Sequence, residues 1–477
     1  MDLIYWVLLI TYGVLLVSTI LIIVTDNSNS DPGKALAWLV LIFFLPLIGI
    51  FLYFIFGFDR RRGNSADKDR YGFLSDLIPL LPQDFESYGN PADAHFDRLD
   101  SDYHGLVKLL ESGNRSRLLY GSKVEIITDG NRKFEKLMED LKNARHHIHF
   151  EYFLFRKDEI SRRIRALLMQ KAEEGVEVRF IYDNIANIDI FPSYYNKMRK
   201  SGVQVKPFTK FSLSSIRRNP NNRNHRKVVV IDGKIGYVGG MNITSQTQRW
   251  RDAHLRLQGE GVHGLQISFL QIWHGSKGIL PKELAPYFPK AQIFTGNLMQ
   301  IVPDTPDSNH PYYSLAIVNA IENARKHIYI QTPYFMPTDS LKRALKTAAL
   351  KGVEVRLMVS QKSDFAFMDW AIQANYEEML SVGVHIHEIQ NYFSHAKSMV
   401  IDDYLSVIGT TNLDHRSLEL NFEINAFMYD PEVAAQNKQI FITDMQGCQE
   451  LTLAQWQKRS WKRKTLQTIM RFFSPLL

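Results

Sequence analysis

The chain contains one cysteine, Cys448, so an intrachain disulfide framework and Cys-rich zinc sites are excluded. It also has no glycine-rich nucleotide loop, no His-Glu-x-x-His and no EF-hand loop. Acidic residues are missing from two long stretches. Residues 206–227 hold seven Lys or Arg and no acid, and residues 451–477 hold six and none. Taking those thirteen from the 57 basic residues leaves 44 against 50 acids, so the formal charge of +7 resides in two places on an acidic-leaning body. Both basic stretches are interleaved with large apolar residues: Phe208, Phe211, Leu213 and Ile216 in the first, Trp456, Trp461, Phe472 and Phe473 in the second.

Charge is absent altogether from residues 3–24 and 35–58. Each run is long enough for a helix crossing about 30 Å of hydrocarbon, which takes about 20 residues. Met1-Asp2 supplies no basic leader, and a second apolar run follows at once, which argues against a signal peptide. The expectation is a transmembrane helical hairpin. Pro46 would be a tolerated kink in the second helix, and Trp6, Trp38 and Tyr53 interfacial rings. Arg60, Arg61 and Arg62 follow the second run, so the positive-inside rule puts the rest of the chain in the cytoplasm and the connector outside. The expected location is a cytoplasmic (inner) membrane, multi-pass.

At 477 residues and 45% hydrophobic, the chain can bury large cores, and it contains an internal repeat. Asn143-Ala144-Arg145-His146-His147-Ile148 returns as Asn323-Ala324-Arg325-Lys326-His327-Ile328. Gly175-Val176-Glu177-Val178-Arg179 returns as Gly352-Val353-Glu354-Val355-Arg356. The order is preserved, so the repeating unit is a domain. Each half reads strand, helix, strand: 147–154, 160–174 and 176–182 in the first, 328–332, 340–351 and 353–359 in the second. The predicted fold class is α/β, with two pseudo-twofold-related sandwich repeats after the anchor. The expected divisions are an anchor at 1–58, a connector and cap at 59–119, a first repeat at 120–290 and a second at 291–477.

Inside each repeat lies the same grammar: His225, Lys227, Asp232, then Gly239-Gly240-Met241-Asn242; and His395, Lys397, Asp402, then Gly409-Thr410-Thr411-Asn412. This is the HxKxxxxD motif of the phospholipase D superfamily, present twice. Residues i and i+2 of a strand face the same way, so each His and Lys can address one phosphate. Asn242 and Asn412 can then hold phosphoryl oxygens. That grouping favours two-step phosphoryl transfer without metal or other cofactor. One imidazole attacks phosphorus, the other protonates the departing alkoxide, and Lys227 and Lys397 neutralise the developing charge. Asp232 and Asp402 are grouped with the catalytic residues as members of the motif, yet each sits five residues beyond its Lys, at a turn, where a structural part is the better reading. Asp252 and Glu423, 27 and 28 residues after the two histidines, are the better candidates to orient an imidazole, as similar carboxylates do in the superfamily. Glu151 and Gln331, equivalent across the repeat, are candidate pocket residues. His146, His147, His327 and His415 read as structural.

Nearly the whole chain resembles bacterial cardiolipin synthases of the two-motif type. Ala37-Trp38-Leu39, Leu45-Pro46-Leu47-Ile48-Gly49, both motifs, Gln331-Thr332-Pro333-Tyr334-Phe335, Asn412-Leu413-Asp414-His415-Arg416-Ser417 and Phe472-Phe473-Ser474-Pro475-Leu476-Leu477 carry the resemblance. It implies that two phosphatidylglycerols give cardiolipin and glycerol, with His225 as nucleophile and His395 as acid and base. The implied partners are phosphatidylglycerol and cardiolipin in the bilayer and an anionic membrane surface, not nucleic acid, because DNA accounts for neither the apolar runs nor the apolar residues among the arginines. The competing readings are a phospholipase D-type hydrolase, a phosphatidyltransferase with another acceptor, and a non-catalytic lipid-binding scaffold.

Overall fold

A computed structural model describes residues 2–25, 32–53, 95–208, 222–294, 296–306, 308, 310–364 and 366–474. The anchor begins with α1 (Asp2–Thr25), whose uncharged run makes it long and apolar enough to cross a membrane. It is the one such helix among the described residues.

The second apolar run does not form the expected continuous span. It divides into α2 (Pro32–Phe44) and α3 (Pro46–Leu52) around Leu45, which leaves helical geometry at φ −133°, ψ 67°. Pro46 disfavours helix at the residue before it and takes the first helical position of α3, where its missing N–H costs nothing. The two pieces fold back on each other. Trp38 and Tyr53 stack edge to face with centroids 5.4 Å apart, whereas fifteen residues of straight helix would separate them by roughly 22 Å. A Cβ on Gly49 would come within 2.8 Å of the Ile42 Cα, so only glycine allows the approach. Trp38 and Tyr53 are thus packed against each other and are not interfacial rings; Trp6 is exposed. Residues 54–58 of the expected span lie outside the described residues.

The body contains two sheets of matching topology. The first-half strands are β1 (Leu119–Tyr120), β2 (Lys123–Asp129), β3 (His147–Tyr152), β4 (Glu177–Tyr182), β5 (Gln204–Pro207), β6 (Arg223–Asn224), β7 (Lys227–Ile231), β8 (Ile235–Gly239) and β9 (Arg251–Gln258). The second half contributes β10 (Leu298–Asp304), β11 (His327–Gln331), β12 (Phe335–Met336), β13 (Glu354–Ser360), β14 (His385–Ile389), β15 (Ser398–Ile401), β16 (Leu405–Gly409), β17 (Leu413–Asp414), β18 (Asn421–Tyr429) and β19 (Cys448–Leu451). One sheet runs β2-β9-β8-β7-β3-β4-β5; the other contains β10-β18-β16-β15-β11-β13-β14, extended by β1 and β19. The orders superimpose strand for strand, and the expected strand–helix–strand segments fall where the spacing puts them.

Helices α4 (His104–Asn114), α5 (Gly130–Lys142), α6 (Glu159–Glu173), α7 (Gly261–Gly275), α8 (Tyr312–Asn323), α9 (Asp339–Leu350), α10 (Ala366–Gln373), α11 (His415–Glu419), α12 (Pro431–Met445) and α13 (Trp461–Phe473) complete the layers described here. Apolar faces of α5 and α6 close one side of the first sheet through Phe134, Leu137, Ile164 and Leu168. Those of α8 and α9 do the same for the second through Ile317, Ile321, Leu341 and Leu345, where α4 adds Leu106, Val107 and Leu110. Between the sheets, Val228, Val230, Val238 and Leu255 of one half meet Ala396, Ile408, Ile424 and Ala426 of the other. The alternation of each strand therefore buries one face under helices and the other against the opposite half.

Two aromatics of the basic stretches belong to the cores. Phe208 packs at 4.8 Å from the Phe422 ring, and Trp456 is 5% exposed beneath Arg459. Residues 209–221, with the rest of the first stretch's apolar side chains, lie outside the described residues. Trp461 is 72% exposed on α13.

Candidate active site

Each HxK segment leads into the central strand of its sheet, β7 or β15, and is pinned by the other half. The backbone N–H of His225 donates to the Phe422 carbonyl at 2.9 Å, and that of His395 to the Arg251 carbonyl at 2.7 Å. The two histidines thereby meet over the interface between the sheets.

Their carboxylate partners are exchanged. Spacing puts Asp252 after His225 and Glu423 after His395, within each half. The structure pairs them across the pseudo-twofold: His225 Nδ1 donates to Glu423 at 2.9 and 3.0 Å, and His395 Nδ1 donates to Asp252 at 2.9 Å. Glu423 and Asp252 have no exposed side-chain surface. With Nδ1 engaged, Nε2 is the nitrogen each ring presents for chemistry.

Lys227 and Lys397 are buried beside their histidines, donating to the backbone carbonyls of His225 and His395 at 2.6 and 2.5 Å. Burial, foremost, holds Lys227 well below the ordinary lysine range and Lys397 down to about 8. The same burial, with the lysine charges, depresses His225 strongly and His395 to about 4. A phosphodiester monoanion seated among these four groups would favour the protonated form of each. Asn242 and Asn412 are buried at the ends of their motifs. Asn242 Oδ1 accepts from the Leu154 N–H at 3.3 Å, and Asn412 Oδ1 has no hydrogen-bond partner among the described residues.

The motif aspartates do not enter the site. Asp232, at φ 54° in the β7–β8 turn, accepts the backbone N–H groups of Arg145, His146 and His147 at 2.8–2.9 Å. Asp402 does the same for Arg325, Lys326 and His327 at 2.6–3.0 Å. Grouping them with the catalytic residues is corrected: they sit at the far end of the strand from each His and tie the hairpin to the start of β3 or β11. Glu151 and Gln331 are buried one layer below the pocket. Glu151 accepts from Asn224 Nδ2 at 2.7 Å and Gln331 donates to Ser394 Oγ at 3.0 Å, so each holds the residue preceding a motif His.

Several site residues escaped sequence reasoning. Thr410 Oγ1 donates to Glu423 at 2.6 Å, and Asn421 Nδ2 donates to it at 3.2 Å. Burial still lifts the Glu423 carboxyl to about 7, against the lowering effects of Lys227, Thr410 and Asn421. At the position matching Thr410 the first half has Gly240, whose missing Cβ makes room for the Asp252 carboxylate. Lys133 lies buried on that side, donating to Tyr152 Oη at 3.0 Å and feeling the charge of Asp252. Comparing the repeats position by position would have pointed to Thr410 and Asn421; nothing in the sequence singles out Lys133.

Comparison with known proteins agrees with this geometry. The family described as "Cardiolipin synthase, PLD-like domain" matches residues 137–273 and 317–445, one match per half, and "Phospholipase_D-nuclease N-terminal" matches residues 14–57. The chain is 34% identical over 471 residues to the major cardiolipin synthase ClsA of Bacillus subtilis, covering 96% of each protein. It is 34% identical over 479 residues to cardiolipin synthase 1 of Staphylococcus aureus, covering 99% of this chain and 97% of that one. Among solved structures, phosphatidylserine synthase of Haemophilus influenzae superimposes with a TM-score of 0.60 at 14% identity, over 78% of this chain and all of that one, which establishes the shared fold. The duplicated motif, the two matching sheets and full-length identity above 30% make this chain a member of the cardiolipin synthase family, within the phospholipase D superfamily.

Proposed function

We propose that the protein is a cardiolipin synthase that transfers a phosphatidyl group from one phosphatidylglycerol to another. The single observation that carries the chemistry is the crossed pair of imidazole–carboxylate couples, set beside two buried lysines. In the first step the Nε2 of one imidazole attacks phosphorus. The P–O bond to glycerol breaks, the second imidazolium gives its proton to the departing oxygen, and an N–P bond forms. The terminal hydroxyl of a second phosphatidylglycerol then passes its proton to that second imidazole and attacks phosphorus, and the N–P bond breaks. Family resemblance gives His225 the nucleophilic part and His395 the proton-transfer part. Lys227, Lys397, Asn242 and Asn412 hold the non-bridging oxygens, and Glu423 and Asp252 keep each ring in the Nδ1–H tautomer.

The protein is membrane-associated through its N-terminal segment. Arg60, Arg61 and Arg62 favour a cytoplasmic body at the bacterial inner membrane, with Trp461 and the lysines of α13 meeting anionic headgroups. A second apolar run that doubles back leaves the connector on the same side as the body; a cysteine at position 29 labelled from outside intact cells would overturn that topology.

Purified protein given labelled phosphatidylglycerol should yield cardiolipin and an equal amount of glycerol. Phosphatidic acid as the only product would mean a hydrolase, and no turnover a lipid-binding scaffold.

A further inference from the structure

The mouth over the two histidines is not symmetric. Ahead of His225, β6 runs parallel to the start of β18, pairing Arg223 with Asn421 and Asn224 with Phe422. The matching place in the other half is the bridge between Arg251 and Ser394, which makes Phe393 and Trp250 the counterparts of Arg223 and Asn421. The Phe393 and Trp250 rings are 4.9 Å apart, and the Trp250 ring lies 5.4 Å from that of His395. That rim is aromatic, and the charge of its Arg251 is paired with Asp444 at 2.8 Å.

The rim at His225 is cationic. Arg416 lies on α11, immediately before β18, and its charge is felt by His225 and by Arg223. Four residues after its motif Asn, the first half has Gln246 where the second has Arg416, so the aromatic rim lacks this charge too. Both arginine residues are partly exposed. Burial, foremost, lowers Arg223 to about 10, and Arg416 adds to the effect. Asp183 acts on both guanidiniums and Asp414 on that of Arg416, while Asp183 also accepts backbone N–H groups from Ile185, Ala186 and Asn224, and Asp414 one from Ser417. On the same rim the side-chain carbonyl of Asn421, a residue 7% exposed, is a buried acceptor with no hydrogen-bond partner among the described residues.

We propose that this rim is a second phosphate site, in which Arg223 and Arg416 bind the phosphodiester of the acceptor lipid and the Asn421 carbonyl accepts the central hydroxyl of its glycerol. The assignment rests on the cardiolipin synthase reading. The attacking oxygen of an acceptor phosphatidylglycerol is three carbons from a phosphodiester with a full negative charge, whereas water and simple alcohols carry none. Guanidinium groups recognise such an anion by paired N–H donors, and the reacting phosphate already has its own lysines and asparagines.

The test uses the full-length protein in mixed micelles of detergent and phosphatidylglycerol, with two readouts. Cardiolipin formation needs the second phosphate; exchange of labelled glycerol into phosphatidylglycerol uses the same phosphohistidine and both histidines without it. Arg223→Gln and Arg416→Gln should each lower cardiolipin formation by about tenfold or more, while glycerol exchange stays within about threefold, as expected for loss of a charge-assisted contact. Arg223→Lys and Arg416→Lys retain the half-buried charge and should fall between wild type and the Gln variants in the ratio of the two rates. Asn421→Ala should raise the KM for acceptor lipid. Equal loss in both assays, or an unchanged ratio in all four arginine variants, overturns the second phosphate site. Wild-type exchange without cardiolipin would instead overturn the cardiolipin synthase reading itself.

Discussion

The two half-sites share a motif but differ in how each carboxylate is held. On the His225 side, Glu423 takes donors from Thr410 and Asn421 and is lifted to about 7 by burial. On the His395 side, Asp252 takes the Ala253 N–H at 2.7 Å, sits against Gly240 where Thr410 would be, and shares its surroundings with the buried Lys133 side chain, which burial holds well below the usual lysine range. Duplication supplied two equal couples, and the residues behind them then set the Glu423 couple, whose carboxyl is lifted to about 7, apart from the Asp252 couple. Such a division suits a reaction in which one imidazole carries a phosphoryl group and the other shuttles a proton.

The broadest way to break the comparison is to remove the rings. His225→Ala and His395→Ala should each lower net cardiolipin synthesis by about 10⁴-fold, and retention of activity in either would sink the shared site. Trapping a phosphorylated peptide in wild-type protein distinguishes the roles, and phosphate on His395 would reverse the assignment.

Carboxylate replacement sharpens it further. Glu423→Gln and Asp252→Asn should each cost about 100-fold, with different pH dependence. A carboxyl near 7 is protonated below that pH and cannot support an imidazolium, so wild-type activity should fall as pH drops through about 7. Glu423→Gln should abolish that acid limb, whereas Asp252→Asn should retain it. Thr410→Val, which removes a donor that favours the ionised form, should move the limb upward and cost severalfold at neutral pH. A limb that stays put in Thr410→Val would dissociate it from Glu423.

Asp232→Ala sets the lower end of the scale. Three backbone N–H groups lose a charged acceptor, each such bond being worth about 1.5–3 kcal/mol, so the melting temperature should drop while kcat of the folded fraction holds. A collapse of kcat at unchanged stability would return Asp232 to the catalytic set.

The chemistry was legible because period-two spacing is local: His225 and Lys227 share a strand face whatever surrounds them. The repeat likewise announced the two sheets, since each echo lies on a core strand or helix end. Exchange of Asp252 and Glu423 was hidden, because spacings of 27 and 28 residues fit either partner and only docking of the halves decides between them. The second apolar run misled for a related reason. Hydropathy counts residues along a line, whereas Pro46 and Gly49 determine whether the line stays straight. Phe208 and Trp456 read as lipid-facing because aromatic rings beside arginines look alike on a surface and in a core.

Exchange of the carboxylates also affects how the enzyme comes into being. A nascent chain released after its first half carries His225 with nothing from its own sequence at Nδ1, and Asp252 with no imidazole to orient. Neither of the two elements that make a working imidazole is complete until β18 docks against β6. Phosphatidyl-transfer competence thus requires both halves docked together, and a half-made protein at the membrane lacks both couples.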